Sequence, residues 1–87
     1  MLPGVYILTC SNGRYYMGST TNISRRLTEH RRGRVKYTKN ILPVKLALFH
    51  QCPDITTARK LEYKLKKHKS RTLLERIIAD GEIKMGL

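Results

Sequence analysis

At 87 residues the chain has room for one small domain with a modest core, and none for a separate targeting domain. Eighteen Lys and Arg against six Asp and Glu give a formal net charge of +12, well beyond what solubility needs and self-repelling unless a polyanion neutralises it. Nucleic acid is therefore the first partner to consider; a membrane is disfavoured, because no apolar run approaches the roughly 20 residues of a spanning helix and no export signal opens the chain, so a cytoplasmic protein is expected.

Gly4 to Cys10 reads as a strand rich in β-branched and aromatic residues, Ser11-Asn12-Gly13 as a turn, and Arg14 to Ser19 as a second strand. Asn22 can cap a helix running to about Arg32, with Gly33 placed to end it in the left-handed conformation. A basic loop over residues 34 to 43 closes at Pro43, and Val44 to His50 reads as a third strand. Asp54 or Thr56 opens a helix with Ala58, Leu61 and Leu65 on one face. A last helix starts near Ser70 with Leu73, Leu74, Ile77 and Ile78 inward, and Gly81 to Leu87 reads as a loose tail. The expected fold is α/β (α+β): a single domain over 1–87 with a small three-stranded antiparallel sheet flanked by helices, in the order β-β-α-β-α-α.

Cys10 and Cys52 lack metal-ligand or redox spacing and read as reduced thiols; His50 and Cys52 would make half a zinc site, with no second pair to complete it. The acidic residues are Glu29, Asp54, Glu62, Glu75, Asp80 and Glu82, with no paired-carboxylate motif. A site needing two metals and several converging carboxylates is hard to build from that set. One Mg2+ on one carboxylate, keeping several waters, is chemically reasonable.

Gly4-Val5-Tyr6, Tyr16-Met17-Gly18, then Arg26 and His30 on the first helix and Glu62 on a later one, form a constellation that resembles the GIY-YIG nucleases. Val5 and Met17 depart from the family's name but keep its apolar character. The likeness covers nearly the whole chain, and the stretch RVKYTK (Arg34 to Lys39) resembles the small stand-alone bacterial members and those that cut branched DNA. It implies an endonuclease that hydrolyses a phosphodiester with one divalent metal, Mg2+ or alternatively Mn2+, held by Glu62. Tyr6, Tyr16, Arg26 and His30 then surround the attacking water and the scissile phosphate, and Gly4 and Gly18 complete the motif. The asparagine that many members carry after the glutamate is missing; Lys67, His68 and Ser70 are the available substitutes.

Read by themselves, these residues allow blander roles. Glu62 and Lys66 could form an ordinary i,i+4 helix pair worth about 0.3–0.5 kcal/mol. Arg26 could be a solvated helix arginine, with Arg25 as the other choice for its role, and His30 could interact with the helix dipole. Arg26 and His30 are four apart and so share a helix face. There an arginine can stabilise charge developing on a phosphate, and a neutral histidine can relay a proton.

The turn decides whether the tyrosines can cooperate. A two-residue Asn12-Gly13 turn pairs Tyr6 with Ser19 and sends Tyr6 and Tyr16 to opposite faces. A three-residue Ser11-Asn12-Gly13 loop, with Gly13 left-handed in a bulge, pairs Tyr6 with Gly18 and Tyr16 with Leu8 on one face. A shared active site requires the three-residue loop. Gly18 opposite Tyr6 would then leave room for a phosphate or water, while Tyr15 faces the other way as packing.

Arg25, Arg31, Arg32, Arg34, Lys36, Tyr37, Lys39 and Lys67 are the candidate DNA contacts, with Tyr37 able to stack on a base. Lys60, Lys64, Lys66, Lys67, Lys69 and Arg71 add a second positive run. Neither run supplies an evident base-reading helix, so a single-stranded or branched substrate is expected rather than a duplex sequence. The sequence does not separate DNA from RNA and does not fix an oligomeric state. A targeting partner protein is compatible with the short chain. The alternative is a nucleic-acid-binding module that keeps the fold and is catalytically silent.

Overall fold

The computed structural model describes residues 2–68 and 70–84. In chain order the elements are β1 (Gly4–Cys10), β2 (Tyr15–Thr20), α1 (Ile23–Arg31), β3 (Val44–Gln51), α2 (Ile55–His68) and α3 (Arg71–Asp80). The fold is the expected α+β arrangement. The three antiparallel strands lie in the order β2-β1-β3, so the first strand is central and β2 is an edge.

Helices cover both faces of β1, which explains why its sequence is almost continuously apolar. Val5 and Ile7 point into a core with Leu48, Ala58, Leu61, Leu65, Leu74 and Ile77, roofed by α2 and α3. Tyr6, Leu8 and Cys10 point the other way, joining Val44, Ile23 and Leu27 under α1. Burying a Leu, Ile or Val side chain is worth about 1.5–3 kcal/mol. The first core holds many more fully buried aliphatic side chains than the second, so it carries most of the stability. The α1 side can tolerate polar groups.

The hairpin forms by the three-residue route. Gly13 is left-handed (φ 80°), its N–H donates to the Cys10 carbonyl at 2.9 Å, and the Cys10 N–H donates to the Arg14 carbonyl at 2.9 Å. The register that follows sets Tyr6 opposite Gly18 and Leu8 opposite Tyr16. Across the sheet, Ile7 pairs with Leu48 and Leu8 with Leu46, so Ala47 is an extra residue bulged out of β3.

Local capping agrees with the residues that signal it. Asn22 Oδ1 accepts the Arg25 N–H at 3.1 Å, and α1 ends at Gly33 (φ 73°) with the Arg34 N–H on the Glu29 carbonyl at 3.0 Å. Of the two possible starts for α2, Asp54 is the one used, accepting the Thr57 N–H at 2.7 Å. Ser70 Oγ caps α3 through the Leu73 N–H, and Gly81 (φ 78°) terminates it. The chain beyond Gly81 is not loose throughout: Ile83 is buried in the α2/α3 core and its N–H donates to His50 Nδ1 at 3.1 Å. Lys69 and residues 85–87 lie outside the described residues. Cys10 and Cys52 are free, buried thiols on opposite sides of the sheet.

Candidate active site

On the α1 side of the sheet, β1 supplies Tyr6, β2 supplies Tyr16, and α1 supplies Arg26 and His30. The Tyr6 ring centroid lies 6.2 Å from Tyr16 and 5.6 Å from His30, and Tyr16 is 5.1 Å from His30. His30 is fully buried. Its Nε2 is 3.0 Å from the Tyr6 hydroxyl and its Nδ1 is 2.8 Å from Thr38 Oγ1. Arg26 Nε–H donates to the Tyr6 hydroxyl at 3.2 Å, and Arg26 Nη1 reaches Glu29 Oε1, also at 3.2 Å.

These contacts fix the direction of the chain. The Tyr6 oxygen accepts from Arg26, and Tyr6 is only 1% exposed, so His30 Nε2 is the acceptor at hand for its proton. Nδ1 must then carry the ring's hydrogen and donate it to Thr38 Oγ1. Burial first, and then the Arg26 charge, push the His30 pKa down to about 4, so the imidazole is neutral. Burial pushes the Tyr6 hydroxyl up to about 12, against the pull of Arg26. The bond to Tyr6 raises the pKa of Arg26. Tyr6 therefore keeps its proton at neutral pH.

Gly18 is small for a different reason than the one expected. A Cβ at Gly18 would collide with the Tyr6 ring, meeting Cζ at 2.5 Å and Cε1 at 2.9 Å as well as the hydroxyl. The space over the glycine belongs to Tyr6, not to a phosphate or water. A Cβ at Gly4 would strike the Phe49 ring at 2.6 Å and the His50 carbonyl. Both motif glycines thus serve close packing.

Glu62 projects from α2 on the opposite side of the sheet and meets the site around the β2 edge. Its side chain is 19% exposed. Ser19 Oγ donates to Oε1 at 2.5 Å, and Lys66 Nζ lies 2.6 Å from Oε2. The helix pair allowed by the sequence is real, but it is not the whole environment, because Ser19 ties the carboxylate to β2. Ser19, Arg25, Arg26, Glu29 and Arg59 line a cleft of about 300 Å3 there. One carboxylate beside hydroxyls is a hard-oxygen donor set that suits Mg2+ retaining its waters. It does not suit zinc, and among the described residues no three His, Cys, Asp or Glu side chains cluster as a metal cage.

The remaining candidates divide. Arg25 lines the cleft beside Arg26, while Arg31, Arg32, Arg34, Lys36 and Lys39 are exposed around the turn that follows α1. Tyr37 is 63% exposed yet packs on Tyr16 with centroids 5.2 Å apart. Lys67 Nζ lies over the Tyr63 ring at 5.1 Å on the outer face of α2, where His68 lines the same groove, and Ser70 is a helix cap. Lys66, rather than any of the three suggested substitutes, is the downstream residue paired with Glu62, alongside Ser19 from β2. Sequence reasoning also missed Ser19, Glu29 and Thr38. Nothing in the sequence periodicity marks Thr38 as buried, whereas the Arg26–Glu29 pair has ordinary i,i+3 spacing.

No helix among the described residues is long and apolar enough to cross a membrane. A family model described as the GIY-YIG catalytic domain matches residues 2–75. A UPF0213 protein of Desulfotalea psychrophila is 41% identical over 76 residues, covering 82% of this chain and 69% of that protein. A UPF0213 protein of Nitratidesulfovibrio vulgaris is 42% identical over 64 residues, covering 72% of this chain but only 58% of the relative. The solution NMR structure of a UPF0213 protein from Bacillus halodurans matches with a TM-score of 0.56 and 36% identity, over 91% of this chain and 84% of that one. The chain belongs to the GIY-YIG family, which implies a nuclease-type function acting on nucleic acid.

Proposed function

We propose that this GIY-YIG protein is a metal-dependent endonuclease that hydrolyses phosphodiester bonds in DNA, on single-stranded or branched forms. The observation that carries the reading is the Arg26–Tyr6–His30–Thr38 chain, which holds an arginine at the mouth of a cleft that also reaches Glu62 through Ser19. A structural arginine would have little reason to be tied to a buried tyrosine that a buried neutral histidine in turn holds in place.

Arg26 spends Nε on Tyr6 and Nη1 on Glu29, which leaves Nη2 to meet a non-bridging phosphate oxygen. Charge builds on those oxygens as water attacks phosphorus in line and the P–O bond to the leaving oxygen breaks, and a fixed guanidinium stabilises it without reorganising. Tyr6 is sealed, so it positions Arg26. Tyr16 is half-buried beside it and is the tyrosine with access to the water. Glu62 would hold Mg2+ or Mn2+, exchanging its bond to Lys66 for the metal; when bound, the ion neutralises phosphate charge and orients water. The exposed Arg and Lys around Tyr37 would track the backbone.

The test is Mg2+- or Mn2+-dependent nicking of single-stranded, duplex and branched DNA, with RNA alongside and Glu62→Ala as control. Cleavage by the intact protein that disappears in Glu62→Ala is the expected result; cleavage that survives the change sinks the mechanism. One observation favours the second reading, a silent binding module: Lys66 already neutralises Glu62 at 2.6 Å. Tight binding with no cleavage in either metal would establish that reading instead.

A further inference from the structure

Around the exposed edge of β2, Tyr15, Tyr16, Met17, Tyr37 and Lys66 line a second cleft of about 420 Å3. We propose that this cleft is a subsite for one unstacked nucleobase of a single strand, flanking the scissile phosphate. The proposal rests on the nuclease reading above and narrows its substrate to strands with an unpaired base beside the cut.

Three features point to a base. The lining is aromatic and apolar apart from one cation, and the volume falls in the roughly 300–1,000 Å3 range of small-molecule clefts. Tyr37 presents most of its surface to solvent, although a ring of that size usually seeks cover. It is braced by Tyr16 at 5.2 Å, so the ring is held in place before any ligand arrives. A braced, exposed tyrosine beside a lysine, on a chain of net charge +12, matches a flat ring joined to a phosphate.

The cleft also shares walls with the catalytic face. Tyr16 lies at 5.1 Å from His30, and Lys66 is the residue paired to Glu62. A base against Tyr37 therefore places its own phosphate toward Lys66 and Glu62. A base inside a duplex stack has no free face to offer, so the occupant must be unpaired or extruded. Stacking without hydrogen-bond readout tolerates any base, which fits the lack of a base-reading helix.

The experiment measures binding in Glu62→Gln protein, so that no cleavage interferes. The probe is a short single-stranded oligonucleotide carrying one 2-aminopurine, placed in turn at each position. Fluorescence should be quenched at one position only. Tyr37→Ala should abolish that quenching and weaken binding roughly 5- to 150-fold, the range for losing one base stack, while Tyr37→Phe retains both. An abasic residue at the quenched position should weaken binding equally, with no further loss in Tyr37→Ala. Unchanged affinity in Tyr37→Ala, or losses that simply add, overturns the subsite. Cleavage of branched duplex by the intact protein together with Tyr37-independent binding would overturn the subsite and leave the nuclease reading standing. Tyr37-dependent quenching in a protein that never cleaves would do the reverse.

Discussion

Acidification should weaken the fold through His30 alone by a calculable amount. The buried ring sits at a pKa of about 4 against an ordinary value of 6.5, chiefly because burial disfavours its charged form. Between those values the unfolded chain binds a proton that the folded chain refuses, so stability falls as pH falls. The contribution is complete above about pH 6.5, declines toward pH 4 and is flat below. Since each pKa unit corresponds to about 1.36 kcal/mol, the full loss is about 3 kcal/mol and the loss by pH 5 about 2 kcal/mol. Urea unfolding of the wild type and His30→Gln at pH 7.5 and 5.0 isolates this effect from the carboxylates, which titrate in both. The wild type should lose about 2 kcal/mol more than the variant. An NMR titration of the His30 ring in the wild type checks the same point independently of how His30→Gln folds. Equal losses in the two proteins, or a His30 ring that charges near its ordinary value, would refute the buried neutral imidazole and with it the Tyr6–His30–Thr38 ordering.

Thr38→Val leaves His30 Nδ1–H without its acceptor in a dry site, which should cost about 1–3 kcal/mol in urea unfolding; Thr38→Ser should recover most of it. Gly18→Ala drives a methyl into the Tyr6 ring and should destabilise by about 1–3 kcal/mol, with a shifted near-ultraviolet tyrosine signal and loss of cleavage. Arg26→Lys cannot hold Tyr6 and Glu29 together while meeting a phosphate. Its cleavage rate should fall by about 10²–10³-fold, with melting temperature nearly unchanged because the side chain is one-third exposed.

Much of the fold was legible because its signals are local. Asn22, Gly33, Ser70 and Gly81 mark helix ends through backbone chemistry that needs no tertiary partner. The shared face of Arg26 and His30 follows from helix spacing alone. Thr38 was not legible, because its burial depends on how the turn after α1 folds back over His30, a packing of irregular chain with no period to read. The sequence places Gly18 opposite Tyr6, but the room expected there for a phosphate or water is filled by the Tyr6 ring itself, a side chain twelve positions earlier in the sequence. The docking of Ile83 depends on tertiary packing in the same way: between Glu82 and Lys84, just past the glycine that ends α3, nothing local says that this side chain folds back into the α2/α3 core.

Glu62 shows why the hairpin loop matters more than any single side chain. Tyr6, Arg26 and His30 occupy the α1 layer, whereas Glu62 belongs to α2, across the sheet. Two layers can meet only around an edge of the sheet, and here they meet around β2. Adjacent residues of β2 serve the two sides: Gly18 faces α1 and yields its space to Tyr6, while Ser19 faces α2 and holds Glu62 at 2.5 Å. Had the turn been one residue shorter, alternation would exchange them. Ser19 would then stand opposite Tyr6, where a Cβ collides with the ring, and glycine would face Glu62 with no hydroxyl to offer. The third loop residue, with Gly13 left-handed to accommodate it, therefore sets the tyrosine's space and the carboxylate's tether in one step. Neither half of the site can be adjusted in register without losing the other.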